Sequence, residues 1–232
     1  MTKPIRGILF DLFHTLTARE GDWADLPMTS QVLGLDYPRW NDLLFHHSRW
    51  RLAGEETDPF VILKTLATQL DPTLSDERIR EASEKRMERF RRGLITGIPA
   101  RNVETLQELR RRGLRLALVS NADHGEVAGW SACPLAGLFD AEIFSCHVGM
   151  VKPEPEIYFE ALKRIDLTAD ECLFVGDGGS NELVGARTVG LETVMVTGVI
   201  EELWPDVIPD RRPYADHEIR TIPELLALFP PA

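Results

Sequence analysis

Gly7-Ile8-Leu9-Phe10-Asp11-Leu12-Phe13-His14-Thr15-Leu16 is the stretch on which the reading of this chain turns. Its apolar half has the length of a strand and runs directly into one carboxylate, followed by a tight turn that carries Thr15. A buried strand ending in Asp11 sets that carboxylate in the crevice at the carboxyl edge of an open α/β sheet, where such sheets bind ligands.

Beyond this stretch, strand and helix patterns alternate from Pro99 onward. Pro99 opens a helix with Val103, Leu106 and Leu109 on its apolar face, and Gly113 stops it. Leu114 to Ser120 reads as a buried strand. Ala141 to Ser145 is a short strand candidate, and the helix that starts near Pro155 places Ile157, Ala161, Leu162 and Ile165 on one side. Cys172 to Val175 is a further buried strand that ends at Gly176-Asp177. A helix over 181–189 stops at Gly190, Thr193 to Val196 continues the sheet, and 215–229 adds a last short strand and helix. Repeated βα units of this kind predict parallel strands with right-handed crossovers, hence a doubly wound, mostly parallel α/β sheet.

Residues 17–94 break the alternation. Helices are predicted over 59–70 (Phe60, Leu63, Leu66, Ala67, Leu70) and 76–94 (Ile79, Ala82, Met87, Phe90, Leu94), with Ser75 as N-cap of the second and Asp76 and Glu77 in its first turn. No strand pattern interrupts them. The expected organisation is an α/β core from 1–16 plus 95–232 and a small all-helical cap from 17–94, seated over the strand ends. Trp23, Trp40 and Trp50 fall in this insert and are expected to pack its core rather than stack on a ligand.

The 232 residues, 44% hydrophobic and 27% charged, suffice for one full core and a smaller appended unit. A formal charge of −11 with no basic stripe argues against nucleic acid as a partner. An anionic small molecule stays admissible, because a metal or a few local cations set the field inside a cleft. Cys133, Cys146 and Cys172 are odd in number and widely spaced, which indicates buried thiols rather than a disulfide framework or a zinc cage. No apolar segment reaches membrane-span length, and the stretch after Lys3 and Arg6 lacks the marks of a signal peptide, so no membrane partner and a cytoplasmic location are expected. Oligomeric state leaves no signature in the sequence.

Asp11, Ser120, Lys152 and Asp177 each follow an apolar strand or its turn, and in a parallel sheet such positions converge on one edge. Singly, each has an ordinary structural explanation as a cap, a turn former or a solvated charge. Their contexts are Phe10-Asp11-Leu12-Phe13-His14-Thr15-Leu16, Val119-Ser120-Asn121-Ala122, Gly149-Met150-Val151-Lys152-Pro153-Glu154-Pro155 and Val175-Gly176-Asp177-Gly178-Gly179-Ser180-Asn181-Glu182. Together and in this order they resemble the four motifs of the haloacid dehalogenase-like hydrolase superfamily, whose cap placement the helical insert also matches.

The resemblance implies a Rossmann-like core and hydrolysis of a small phosphorylated molecule. Asp11 would be the nucleophile, with Ser120 and Lys152 as its catalytic partners. Ser120, Asn121 and Lys152 would hold the substrate. Asp11, the backbone carbonyl of Phe13 and Asp177 would bind Mg²⁺. Physical chemistry agrees with these roles. Asp11 and Asp177 on neighbouring strand ends repel unless a cation lies between them, and Lys152 supplies a point charge for developing negative charge. Pro153 favours an extended backbone at residue 152 and so fixes how that side chain is presented. Glu182, five residues after Asp177, is placed either to receive metal-bound water or to serve as an ordinary first-turn glutamate. Gly176-Asp177-Gly178-Gly179 is no dinucleotide loop, because Asn181 stands where its third glycine would be.

Position 13 departs from the pattern. Phosphatases of the superfamily carry Asp there as general acid and base, and Phe13 transfers no proton. Such a loss costs ~10²–10⁴-fold in rate, roughly 3–5 kcal/mol of barrier. Acyl and aryl phosphates, whose leaving groups need little protonation, stay within reach. The aromatic resembles the metal-independent dehalogenase branch, yet that branch usually lacks the Gly-Asp pair kept here as Gly176-Asp177. A Mg²⁺-dependent phosphatase is the expectation; a 2-haloacid dehalogenase and a catalytically silent ligand-binding protein stay open. His14 is the position for a substitute proton donor, although structural roles are expected of both His14 and His124.

Overall fold

The computed structural model describes residues 4–23 and 25–229. Strand β1 (Gly7–Phe10) is buried along its whole length. Among the described residues the insert that follows holds α1 (Thr29–Leu33), α2 (Tyr37–His46), α3 (Arg49–Leu52), α4 (Pro59–Leu70) and α5 (Asp76–Thr96). Asp36, Asp58 and Ser75 cap α2, α4 and α5, each accepting a backbone N–H of the first turn. Leu33, Trp40, Ile62, Leu63, Leu66, Ile79 and Ala82 make these helices a separate apolar cluster. The predicted pair over 59–70 and 76–94 is therefore present; α1 and α3 are too short to leave a clear periodicity, and α2 buries only Trp40 and Leu43.

The chain then alternates: α6 (Ala100–Arg111), β2 (Arg115–Ser120), α7 (His124–Val127), β3 (Ala141–Phe144), α8 (Ser145–Val148), α9 (Pro155–Ile165), β4 (Cys172–Gly176), α10 (Glu182–Thr188), β5 (Glu192–Val196), α11 (Gly198–Leu203), α12 (Ile208–Arg211) and β6 (His217–Ile219). The tail that reads as an α-helix is a 3₁₀ segment, Ile222–Ala227, with Pro223 in its first turn.

The six strands are all parallel and lie in the order β3-β2-β1-β4-β5-β6. Phe10 is level with Leu118 of β2 and Val175 of β4, so Asp11 emerges between the ends of those two strands. Alternate residues face opposite sides. Ile8, Phe10, Leu116 and Leu118 pack on α6 and the 222–227 segment, while Leu9, Ala117, Val119 and Phe174 pack on α9 and α10. Both faces are covered, as a doubly wound sheet requires. Among the described residues no helix is long and apolar enough to cross a membrane.

Candidate active site

The strand ends and the helical insert enclose a cavity of 770 Å³. Asp11, Phe13, His14, Asn121, Lys152 and Asp177 line it from the sheet, and Glu20, Leu44, Phe45, Arg51 and Phe90 from the insert side. The fold therefore collects in one place the sites of all four sequence motifs.

Lys152 is the hub. Its Nζ donates to Asp11 Oδ1 and to Glu182 Oε2, at 2.5 Å each. Burial alone would depress this ammonium, but the Asp11 and Glu182 carboxylates overcome it and hold the lysine above its ordinary value. Glu182, buried beside Asp11, is pushed well up from the usual carboxyl range, with Lys152 pulling back. The other Glu182 oxygen accepts Gly178 N–H at 3.0 Å. Glu182 thus grips the lysine directly and is no exposed first-turn residue.

Asn121 positions the lysine. Its amide donates to the Lys152 carbonyl at 2.9 Å and accepts the Lys152 N–H at 2.8 Å. The Lys152–Pro153 peptide bond is cis. Ser120 ends β2 beside Asn121; its side chain is fully enclosed, and its Oγ has no hydrogen-bond partner among the described residues.

Asp177 ends β4. Its Oδ1 accepts Gly179 N–H at 2.9 Å, and Arg211 Nη1 donates to both its Oδ2 and its carbonyl, at 2.9 Å each. Arg211, at the end of α12, carries no sequence signal: it follows no strand and belongs to no motif. Oxygens of Asp11, Asp177 and Glu182 lie within 4.8 Å of one another. All three side chains are buried. Carboxylate oxygens are hard donors that suit a divalent cation such as Mg²⁺, and these three residues are among the groups that could hold one.

His14 takes a left-handed backbone conformation, φ 63°, stabilised by its N–H donating to Thr17 Oγ1 at 2.9 Å. Its ring stands edge-on to Trp204, and Nε2 is buried without a hydrogen-bond partner among the described residues. Burial lowers its basicity, against the opposing pull of Asp177 and Asp11.

A buried charge cluster joins the insert to the sheet. Arg51 and Arg86, from α3 and α5, both donate to Asp123 and Glu126, at 2.7 Å for Arg51–Asp123 and 2.6 Å for Arg86–Glu126. Asp123 and Glu126 also cap α7 reciprocally. The partners come from residues up to 75 positions apart, which no local pattern signals.

The family model for haloacid dehalogenase-like hydrolases matches residues 5–190. The chain belongs to that family. It is 30% identical to the glyceraldehyde 3-phosphate phosphatase of Methanocaldococcus jannaschii over 96% of both chains. It is also 37% identical to the bifunctional epoxide hydrolase 2 of Rattus norvegicus over 38% of its own length, and spans 17% of that protein. A crystal structure of a dehalogenase superposes with a TM-score of 0.69 at 21% identity, covering 99% of both chains, which shows the shared fold.

An aromatic ring stands in the cavity wall at position 13. Phe13 packs against Trp23 at 5.9 Å and Phe90 at 5.5 Å between ring centroids. Trp23 thus backs the two rings, Phe13 and Phe90, that face the cavity, whereas Trp40 and Trp50 pack in the insert as expected. The reason is local: Gly93 and Gly97 leave a slot at the end of α5, where an added Cβ would stand 2.5 Å and 2.6 Å from the Trp23 ring.

Proposed function

We propose that this hydrolase is a Mg²⁺-dependent phosphatase of a small phosphorylated metabolite, with Asp11 as nucleophile. The observation that carries the reading is the packing of three carboxyl groups around Lys152 and Arg211 in the cavity. This set has room electrostatically for one divalent cation and an anionic substrate. The near full-length resemblance to a protein named as a phosphatase supports it.

In this mechanism the Asp11 carboxylate attacks phosphorus and the bond from phosphorus to the leaving oxygen breaks, leaving an aspartyl-phosphate. Lys152 neutralises negative charge on the transferring group, and Ser120 Oγ and the backbone N–H groups after it hold its oxygens. Water then attacks the phosphorus, releasing phosphate and restoring the Asp11 carboxylate. Mg²⁺ bound by Asp11, Asp177 and the Phe13 carbonyl would supply further charge neutralisation. Phe13 offers the leaving group no proton, so the substrates that fit are acyl or aryl phosphates. Residues 17–94 act as the cap that closes the cavity, over a core of 1–16 and 95–232.

The aromatic wall formed by Phe13 and Phe90 favours a second reading, halide displacement from a 2-haloacid, which needs no leaving-group proton. One pair of assays separates them. Phosphate release from an aryl phosphate that requires Mg²⁺ supports the first; halide release from a 2-chloroalkanoic acid without metal replaces it with the second. Silence in both, with thermal stabilisation by phosphorylated ligands, would leave a binding protein.

A further inference from the structure

We propose that His124, Cys146 and His147 form a second metal site, for a borderline divalent cation of the zinc class. One ligand atom from each of the three lies within 4.8 Å of the other two. His124 opens α7, and Cys146 and His147 lie on α8. The two segments are tied together by Ser145, whose Oγ accepts Ala122 N–H at 3.0 Å and donates to the Ala122 carbonyl at 3.2 Å. The two imidazoles already lie side by side, ring centroids 5.3 Å apart. Sequence spacing hides the site, since 22 positions separate the first histidine from the Cys-His pair and only the fold closes that gap.

The donor chemistry selects the ion. Two imidazole nitrogens and one sulfur suit Zn²⁺ or Co²⁺, whereas the oxygen set around Asp11 suits Mg²⁺, so the two clusters sort different cations. Ligand atoms on a tetrahedral Zn²⁺ stand about 3.5 Å apart, a spacing that falls inside the 4.8 Å limit within which these atoms lie. His147 is exposed and His124 half-buried, giving a route in and an outer position for water. Burial, with Asp123 and Glu126 nearby, pushes the Cys146 thiol up to about 12, so it is protonated until a metal arrives. On binding, the sulfur–metal bond forms as the thiol proton passes to solvent. Burial and the neighbouring His124 lower His147, which keeps its ring neutral and its lone pair available.

The location gives the site a structural effect. A Cβ at Gly54 of the helical insert would stand 2.1 Å from the Cys146 carbonyl oxygen, so the α8 backbone abuts the insert directly. Asp123, next to His124, holds Arg51 and Arg86 from the same insert. A cation here braces the seam between insert and sheet.

The test is a Co²⁺ titration of the reduced full-length chain with Mg²⁺ in excess to saturate the carboxylate cluster. A thiolate-to-cobalt charge-transfer band that saturates at one ion per chain is expected, reversed by Zn²⁺. Cys146→Ser should abolish the band and Cys133→Ser should keep it. His147→Ala, a change at an exposed position, should weaken binding roughly tenfold or more. Absence of the band, its persistence in Cys146→Ser, or an unaltered affinity in a folded His147→Ala protein overturns the proposal.

Discussion

Lys152 Nζ stands 2.5 Å from Asp11 Oδ1, a contact that closes 141 residues of chain. Because Glu182 shares the same ammonium, the lysine holds apart two carboxyl groups that would otherwise face each other out of water. Lys152→Met should abolish turnover and lower unfolding free energy by about 3 kcal/mol, the cost of leaving buried charge unpaired. Adding Glu182→Gln should recover part of that stability without restoring activity. Urea unfolding beside a turnover assay reads both; a single variant as stable as the parent would mean that the triad carries no mutual dependence.

Ser120 separates stability from function. Its Oγ is enclosed without a partner among the described residues, and an unsatisfied buried hydroxyl costs about 1–3 kcal/mol. Ser120→Ala should therefore leave the melting temperature unchanged or raise it, while turnover falls at least tenfold if this hydroxyl holds the transferring group. Equal activity in the variant would remove Ser120 from the mechanism.

Phe13→Asp tests the missing proton donor. Restoring a carboxyl two residues after the nucleophile should raise Mg²⁺-dependent release from an alkyl phosphate, by at least tenfold of the ~10²–10⁴ that such a group supplies. The change also takes a ring away from Trp23 and Phe90, so a stability loss of about 2 kcal/mol is expected. A stable variant that shows no gain at saturating Mg²⁺ would mean that the position no longer faces the leaving group.

The Arg51–Arg86–Asp123–Glu126 cluster predicts an acid limit to stability. Burial alone would raise the Asp123 carboxyl, but Arg86 and Arg51 more than reverse this and hold it below the usual carboxylate range. An unfolded aspartate titrates near 3.9. With the native value depressed, the contribution is present above about pH 4 and is lost as pH falls toward the native value. Asp123→Asn should consequently melt lower than the parent at pH 7, with the gap narrowing below pH 4. A gap of constant width across that range would show that the arginines do not set the Asp123 titration.

Much of this architecture is legible in the residues because the determinants are local. Strand-length apolar runs ending in Asp11, Ser120 and Asp177 needed no tertiary information, and neither did the helix stops at Gly113 and Gly190, both in left-handed conformation. What escaped reading depends on long-range pairing. Arg211 meets Asp177 from 34 residues away, Arg51 meets Asp123 from 72, and Trp23 leaves the insert's own core for Phe13. Glu182 illustrates the limit from the other side. Its spacing from Asp177 was visible, whereas its hold on Lys152 depends on how α10 meets the loop before α9.

The position of β1 at the middle of the sheet has a consequence for biosynthesis. Gly7 lies level with Arg115 on one side and Cys172 on the other. A ribosome adding about 5–20 residues per second takes on the order of ten seconds to deliver the second of those neighbours. Until both neighbours have been made, the Ile8-Leu9-Phe10 triplet keeps backbone groups unpaired on at least one edge, so the sheet closes around β1 only after β4 has been synthesised.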